Sequence, residues 1–140
     1  MLLLATFAAL AATVAPPPAT PCPTAPTTSA LQAACPGLIF FDSGSSEIRR
    51  EWGAVLEAAV AGAAQSRLRL VGYSDTPGSA ATNLRMARRR AQAVADALAA
   101  RGFPADRIDV VAVGEQQLLI PTADGVREVQ NRRVEITVQP

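Results

Sequence analysis

The sequence predicts an α/β fold of the α+β type, a two-layer sandwich in which two helices cover one face of a mixed four-stranded sheet. Two segments with helical periodicity each lie between segments with strand periodicity, and a final strand follows, so the order is β-α-β-α-β-β. Helical crossovers of this length imply parallel neighbouring strands. The last strand follows a long segment without a helix, and it is therefore expected to be antiparallel.

The chain divides by composition into three parts. Residues 1–15 are interpreted as a signal peptide, because Leu2–Val14 is apolar but shorter than a membrane-spanning helix. Residues 16–36 are rich in Pro, Thr and Ala and are predicted to be a flexible segment without a core of its own. Residues 37–140 are long enough for one domain with a modest core.

The composition argues against several classes of function. A net charge of +1 gives no reason to expect nucleic acid as a partner. The sequence has no His, no phosphate-binding loop and no cluster of metal ligands, so neither a metal nor a cofactor is expected. The even number of cysteines in an exported chain suggests a disulfide between Cys22 and Cys35, and two free thiols are the alternative.

The first half of the domain contains one short strand and one helix. Residues 37–42 are an apolar strand, and the Gly/Ser turn that follows ends in candidate N-caps at Ser45 and Ser46. Apolar residues at helical spacing from Ile48 predict a helix that ends near Gln65.

A strand, a tight turn and a long helix follow. Alternation over residues 67–73 predicts a half-buried strand, and the turn S-D-T-P-G-S comes directly after it. Ser79 is the expected N-cap of a helix from Ala80 to about Arg101, and Gly102 is suited to end it.

Two residues of this central segment do not look like packing material. Asp75 lies in the turn, and Arg90 lies fifteen residues later beside the apolar stripe, on the side that also carries Asn83. From the pattern alone, Asp75 could simply stabilise its own turn, and Arg90 could belong to a solvated run of three arginines. Both residues are expected to be peripheral to the core.

The end of the domain contains two strands separated by a long loop. Residues 108–113 are the third strand, and an irregular stretch as long as residues 114–130 is usually functional or mobile in a compact domain. In the last strand, residues 132–138, alternation puts Arg132 on the same side as the apolar residues. Such an arginine needs a partner, so Arg132 either buttresses a site or frays at the strand start.

Three motifs occur in order: I-F-F-D at Ile39–Asp42, G-Y-S-D-T-P-G-S from Gly72 with Asn83 and R-R-R-A after it, and N-R-R-V-E-I at Asn131–Ile136. Together they resemble the signature of the OmpA-like C-terminal domain family, the noncovalent peptidoglycan-binding module of Gram-negative envelopes. The resemblance covers about residues 38–139. It departs from the usual pattern at Ser74, Thr82 and Ala87, and none of these replaces the Asp or the Arg.

The resemblance implies which residues bind and what they bind. Asp75 and Arg90 would hold the side-chain end of diaminopimelate in the stem peptide, which carries an ammonium and a carboxylate on one carbon. The predicted peptidoglycan-binding set is Asp75, Arg90, Asn83, Thr76, Phe41, Asp42 and Arg132. For Phe41 and Asp42 the alternatives are a core residue and a turn residue.

The sequence is compatible with two functions. The favoured one is noncovalent binding of peptidoglycan in the periplasm, in association with the outer membrane, which would tether or organise the envelope with outer-membrane or envelope proteins as partners. The alternative is a small α/β enzyme that acts on a wall fragment or another small acid. No carboxylate pair or His-activated nucleophile supports catalysis, so we expect no enzymatic activity.

Overall fold

The computed structural model describes residues 37–140, and the interpretations of residues 1–36, including the pairing of Cys22 with Cys35, lie outside this range. The main elements are β1 (Gly37–Phe40), α1 (Gly53–Ala63), β2 (Arg67–Tyr73), α2 (Ala80–Ala100), β3 (Ile108–Gly114) and β4 (Arg133–Gln139). Short 3-10 helices occur at Arg50–Trp52, Ala105–Arg107 and Val129–Asn131.

The four strands form one mixed sheet in the order β1-β4-β2-β3. β2 and β3 are parallel neighbours, and β4 is antiparallel to both β1 and β2, so the predicted mixed sheet is confirmed. The expectation that every helical crossover joins neighbouring strands is wrong for α1. β4 lies between β1 and β2 and provides hydrogen-bond partners for both, which also brings the start of β4 beside the ends of β1 and β2.

Both helices pack against the same face of the sheet, as predicted. One hydrophobic cluster contains Ile39, Leu68, Leu70, Val134 and Ile136 from the strands, Leu56, Ala59 and Ala63 from α1, and Ala91, Val94 and Leu98 from α2. The closest approach of helix and sheet is at Gly72. A Cβ atom there would overlap the carbonyl oxygen of Ala87 and lie 2.8 Å from its carbonyl carbon. Only glycine fits this contact between β2 and α2.

The two helices begin differently. Ser79 caps α2 as predicted, since its Oγ accepts a hydrogen bond from the backbone N–H of Thr82 at 3.2 Å. α1 starts later than predicted, because the chain is still extended at Arg49 and forms a 3-10 turn at Arg50–Trp52 before the α-helix begins at Gly53. The Arg49 guanidinium binds the carboxylate of Asp42 through Nε and Nη2, which closes residues 42–49 into a loop of their own.

Three polar side chains form a buried cluster on the sheet face away from the helices. Arg133 donates from Nε to Oε1 of Glu135 at 2.9 Å, and its guanidinium carbon lies 3.8 Å from the ring centre of Tyr73. The hydroxyl of Tyr73 donates to Oε2 of Glu135 at 3.3 Å. Burial of the phenol, reinforced by the charge of Glu135 and opposed by that of Arg133, raises the pKa of Tyr73 to about 12.

The only tyrosine of the chain allows a direct test of this cluster. In the folded protein Tyr73 should remain protonated at pH 11, where a free phenol with a pKa of about 10 is mostly ionised. Because the folded pKa is raised, the contribution of Tyr73 to stability is present below about pH 10 and is lost as the pH rises towards 12. Absorbance at about 295 nm reports phenolate, and the urea-unfolded chain is the control. Half-ionisation near pH 10 in the folded state would contradict the described cluster.

Candidate functional site

A cavity of about 200 Å³ lies at the end of the sheet where β1 and β2 finish. It is lined by Ser43, Gly44, Ser74, Asp75, Pro77, Thr82, Asn83, Met86, Arg90 and Arg127. Three predicted binding residues, Asp75, Asn83 and Arg90, are therefore in its wall. The turn after β2 carries Asp75, and the first three turns of α2 carry Asn83 and Arg90, so one strand-turn-helix unit supplies all three.

A larger depression of about 270 Å³ lies elsewhere, near the start of α1 and the end of α2. Its charged lining residues are Arg49, Arg50 and Arg101, and none of the predicted binding residues lines it. Arg49 is already paired with Asp42 and Glu51, so this depression offers less unpaired charge than its composition suggests. We take the smaller cavity as the candidate site because it holds the buried charged groups.

Asp75 is buried, with 8% of its surface exposed, and it is held from two sides. Its Oδ2 accepts a hydrogen bond from Nη1 of Arg132 at 2.8 Å and another from the backbone N–H of Glu128 at 3.3 Å. Its Oδ1 makes no hydrogen bond within residues 37–140. One carboxylate oxygen is thus used to hold the group in place, and the other remains available to a ligand.

Arg132 positions Asp75 instead of fraying at the start of the last strand. β4 begins at Arg133, and Arg132 closes the 3-10 helix that precedes it. Its Nε donates to the carbonyl oxygen of Phe41 at 3.0 Å while its Nη1 binds Asp75. This arginine therefore connects the end of β1, the start of β4 and the turn after β2.

Arg90 is the most deeply placed charged group of the site, with 1% of its surface exposed. Its Nε donates to the carbonyl oxygen of Ser45 at 2.9 Å, and its Nη2 donates to that of Asp42 at 3.1 Å. Its Nη1 is buried and has no hydrogen-bond partner in the part of the chain that the structure describes. The ring of Phe41 lies below the guanidinium, with 5.5 Å between the ring centre and the guanidinium carbon. The guanidinium of Arg90 therefore has hydrogen-bonding capacity that the residues described here do not use.

The electrostatic environment of Arg90 agrees with this geometry. Burial lowers the pKa of Arg90 to about 10; the carboxylate of Asp75 opposes this shift, and the charge of Arg132 adds to it. Arg90 is still protonated at neutral pH. An anion beside it would favour the charged form and offset part of the cost of its burial.

The expectation that Asp75 and Arg90 are peripheral to the core is wrong, because both are buried. The ion-pair partner of Asp75 is Arg132, which lies 57 positions further along the chain, and not Arg90. Arg90 faces inwards because α2 places it on the side of Asn83 and Ala87, whereas Arg88 and Arg89 are exposed.

The remaining predicted residues occupy different places. Asn83 donates from Nδ2 to the carboxylate of Glu115 at 2.6 Å, and Thr76 donates from Oγ1 to the carbonyl oxygen of Ala123 at 3.1 Å. Both contacts fix the long loop to the site. Phe41 is buried, which agrees with the core alternative, while its carbonyl group binds Arg132. The carboxylate of Asp42 is directed to Arg49, and only its carbonyl group contacts Arg90.

The sequence did not indicate which individual residues of the long loop, residues 114–130, contribute to the site. The loop supplies the backbone N–H of Glu128 to Asp75 and the carboxylate of Glu115 to Asn83, and it places Arg127 in the cavity wall. The length of this irregular stretch was the only signal in the sequence, and it predicted a functional or mobile element without indicating which side chains matter.

Within residues 37–140 there is no group of three or more acidic, Cys or His side chains that could hold a metal ion. None of the helices in the same range is long and apolar enough to cross a membrane.

Comparison with known proteins identifies the family. The sequence model of the OmpA family matches residues 40–132, which includes the whole of the cavity wall. The chain belongs to the OmpA family. This assignment agrees with the resemblance carried by the three motifs.

Two relatives and one solved structure illustrate the similarity of this OmpA-family chain to other proteins. An outer membrane protein of Gluconacetobacter diazotrophicus is 39% identical over 71% of the chain, and the peptidoglycan-binding protein ArfA of Mycobacterium bovis is 34% identical over 88% of it. The chain spans only 29% and 38% of the lengths of these two proteins. The crystal structure of the peptidoglycan-associated lipoprotein from Burkholderia pseudomallei superimposes with a TM-score of 0.67 and is 26% identical, covering 73% of this chain and 89% of that one.

Proposed function

We propose that the domain binds peptidoglycan noncovalently through the diaminopimelate residue of the stem peptide. The observation that carries this proposal is that a carboxylate and a guanidinium lie in the wall of one cavity and that each has an atom without a hydrogen bond to any described residue. Asp75 has a carboxylate oxygen without a hydrogen bond, and Arg90 has a buried guanidinium nitrogen without a partner among residues 37–140. The names of one relative and of the similar solved structure, which refer to peptidoglycan, support the same ligand class.

The charges of the site complement the side-chain end of diaminopimelate. That end carries an ammonium and a carboxylate on one carbon, so it needs an anion and a cation close together. In our proposal the ammonium binds Asp75 and the carboxylate binds Arg90, and both contacts are charge-assisted hydrogen bonds. The N-terminus of α2, which begins at Ala80, adds backbone N–H groups that favour the carboxylate.

The other predicted residues would act around these two contacts. Asn83 lies in the wall and can give a donor and an acceptor, although its amide already binds Glu115. Arg132 and the carbonyl groups of Phe41 and Asp42 hold the charged groups in place, and Thr76 holds the loop. These four are positioning residues in this proposal.

Binding of this kind would tether or organise the cell envelope from the periplasm. Similarity to an outer membrane protein and to a peptidoglycan-associated lipoprotein supports such a location, with outer-membrane or envelope proteins as further partners. No observation favours the alternative of a small enzyme acting on a wall fragment. Asp75 is fixed by its salt bridge to Arg132, and Arg90 is fixed by hydrogen bonds to backbone carbonyl groups, which suits binding better than proton transfer.

Replacement of Asp75 by Asn tests the proposal with the smallest change in shape. Loss of the carboxylate should weaken co-sedimentation with diaminopimelate-type sacculi by roughly tenfold or more, because the ligand ammonium loses its charged partner. The variant also leaves Arg132 without its counter-ion, so its folding must be confirmed by circular dichroism. Asp96→Asn, an exposed change on α2 outside the cavity, is the matched control. Undiminished sedimentation of a folded Asp75→Asn variant would contradict the proposed site.

A further inference from the structure

Arg127 is the charged residue of the cavity wall to which the proposed function assigns no role. It lies in the loop before β4, lines the cavity and is exposed to solvent. Its guanidinium makes no hydrogen bond or ion pair with any other residue of the range 37–140. An arginine that is free on this side of the domain is available to a ligand that fills the cavity.

The backbone on both sides of Arg127 is attached to the turn that carries Asp75. On one side Thr76 donates from Oγ1 to the carbonyl oxygen of Ala123 at 3.1 Å, and the same hydroxyl lies 3.5 Å from the carbonyl oxygen of Val126. On the other side the backbone N–H of Glu128 binds Asp75 at 3.3 Å. Arg127 is therefore held at the rim of the cavity by Asp75, which is proposed to bind the ligand, and by its neighbour Thr76.

The charged residues of the cavity wall indicate which kind of chemical group would bind Arg127. Asp75 is neutralised by Arg132, but neither Arg90 nor Arg127 pairs with a carboxylate among the residues described. The proposed ligand brings one carboxylate to Arg90. A second guanidinium at the rim of the cavity would be complemented by a second anionic group on the same ligand.

The size of the cavity indicates where that second group lies. A volume of about 200 Å³ holds the end of one side chain, so the rest of the peptide must cross the rim, where Arg127 is. In a stem peptide whose glutamyl residue is linked through its γ-carboxyl group, the α-carboxylate of that residue is free and is one residue away from diaminopimelate. We propose that Arg127 binds this α-carboxylate and thereby favours peptides in which it is free over peptides in which it is amidated. This inference rests on the proposed function.

Calorimetric titration with two synthetic tripeptides tests the inference. Both contain alanine, γ-linked glutamate and diaminopimelate, and they differ only in whether the glutamyl α-carboxylate is free or amidated. The wild-type protein should prefer the free acid by about two- to fivefold, as expected for a charge pair at an exposed rim. Arg127→Gln should lower the affinity for the free acid by the same factor and remove the preference. The preference should also shrink at roughly 1 M salt, where the Debye length is only about 3 Å.

Two further variants separate the possible outcomes. Arg88→Gln removes another exposed arginine, on α2, that does not line the cavity, and it should keep the wild-type preference. If the wild type binds neither tripeptide, the proposed function is wrong and this inference is wrong with it. If the wild type binds both, Asp75→Asn binds both weakly, and Arg127→Gln keeps the wild-type ratio, then only the role of Arg127 is refuted.

Discussion

Replacing Gly72 by Ala should destabilise the domain by about 3 kcal/mol or more, which is the upper part of the range for overpacking. The added methyl group would overlap the backbone carbonyl group of Ala87, and backbone cannot move aside as the tip of a side chain can. Relief requires α2 to move away from β2, which would loosen the core contacts of Ala91 and Val94. Because Gly72 also precedes the turn of Asp75, the cavity should be distorted as well. Urea unfolding measures the free energy directly.

Gly62→Ala is the matched control for that substitution. Gly62 lies in α1 and is exposed, and a methyl group added there would meet nothing outside its own helical turn within 4 Å. Alanine should stabilise the helix there by roughly 0.5–1 kcal/mol, because glycine loses more backbone entropy on folding. Two Gly→Ala variants of equal stability would show that the helix and the sheet are not in close contact at Gly72.

Replacing Arg90 by Ala should lower the free energy of unfolding by about 2–4 kcal/mol and also abolish ligand binding. The substitution leaves the carbonyl oxygen of Ser45 without its donor and opens a space above Phe41. The carbonyl oxygen of Asp42 loses one donor and keeps the backbone N–H of Ser45. Because stability and binding both decrease in this variant, it cannot separate the two roles of the side chain.

Arg90→Met separates these roles. Methionine fills much of the same volume without carrying a charge, and replacing a buried charge by an apolar group of similar size is often tolerated. Arg90→Met should therefore recover part of the lost stability but none of the binding. Thermal unfolding measures the first effect and sacculus co-sedimentation the second. A folded Arg90→Met variant that sediments like the wild type would contradict the role assigned to Arg90.

The secondary structure and the layers of the fold could be predicted because they depend on local patterns. Alternation over residues 67–73 and the apolar stripe after Ser79 are short-range signals, and both elements appear where they were expected. The position of β4 between β1 and β2 could not be predicted in this way. It depends on pairing between segments far apart in the chain, and the residue pattern of a strand does not indicate which other strand it pairs with.

The site was predictable only in part for the same reason. Asp75, Asn83 and Arg90 belong to one strand-turn-helix unit, so their relation follows from helical spacing and from the family motif. The ion pair of Asp75 with Arg132 and the place of Arg127 depend on how the long loop returns to the sheet, and this loop has no periodicity. The burial of Arg90 could not be predicted from the sequence, because a run of three consecutive arginines is typical of a solvent-exposed segment.

The most direct test of the central claim is calorimetric titration of the wild-type protein with two stem peptides, one containing diaminopimelate and the other lysine. These ligands differ at the end of the side chain by one carboxylate, and both carry the ammonium proposed to bind Asp75. If Arg90 binds that carboxylate, the diaminopimelate peptide should bind at least roughly tenfold more tightly, since a charged group left without its partner typically costs about 1–3 kcal/mol. Asp75→Asn should weaken binding of both peptides by a similar factor. Equal affinity of the wild-type protein for the two peptides would contradict the account, because Arg90 would then not recognise the carboxylate.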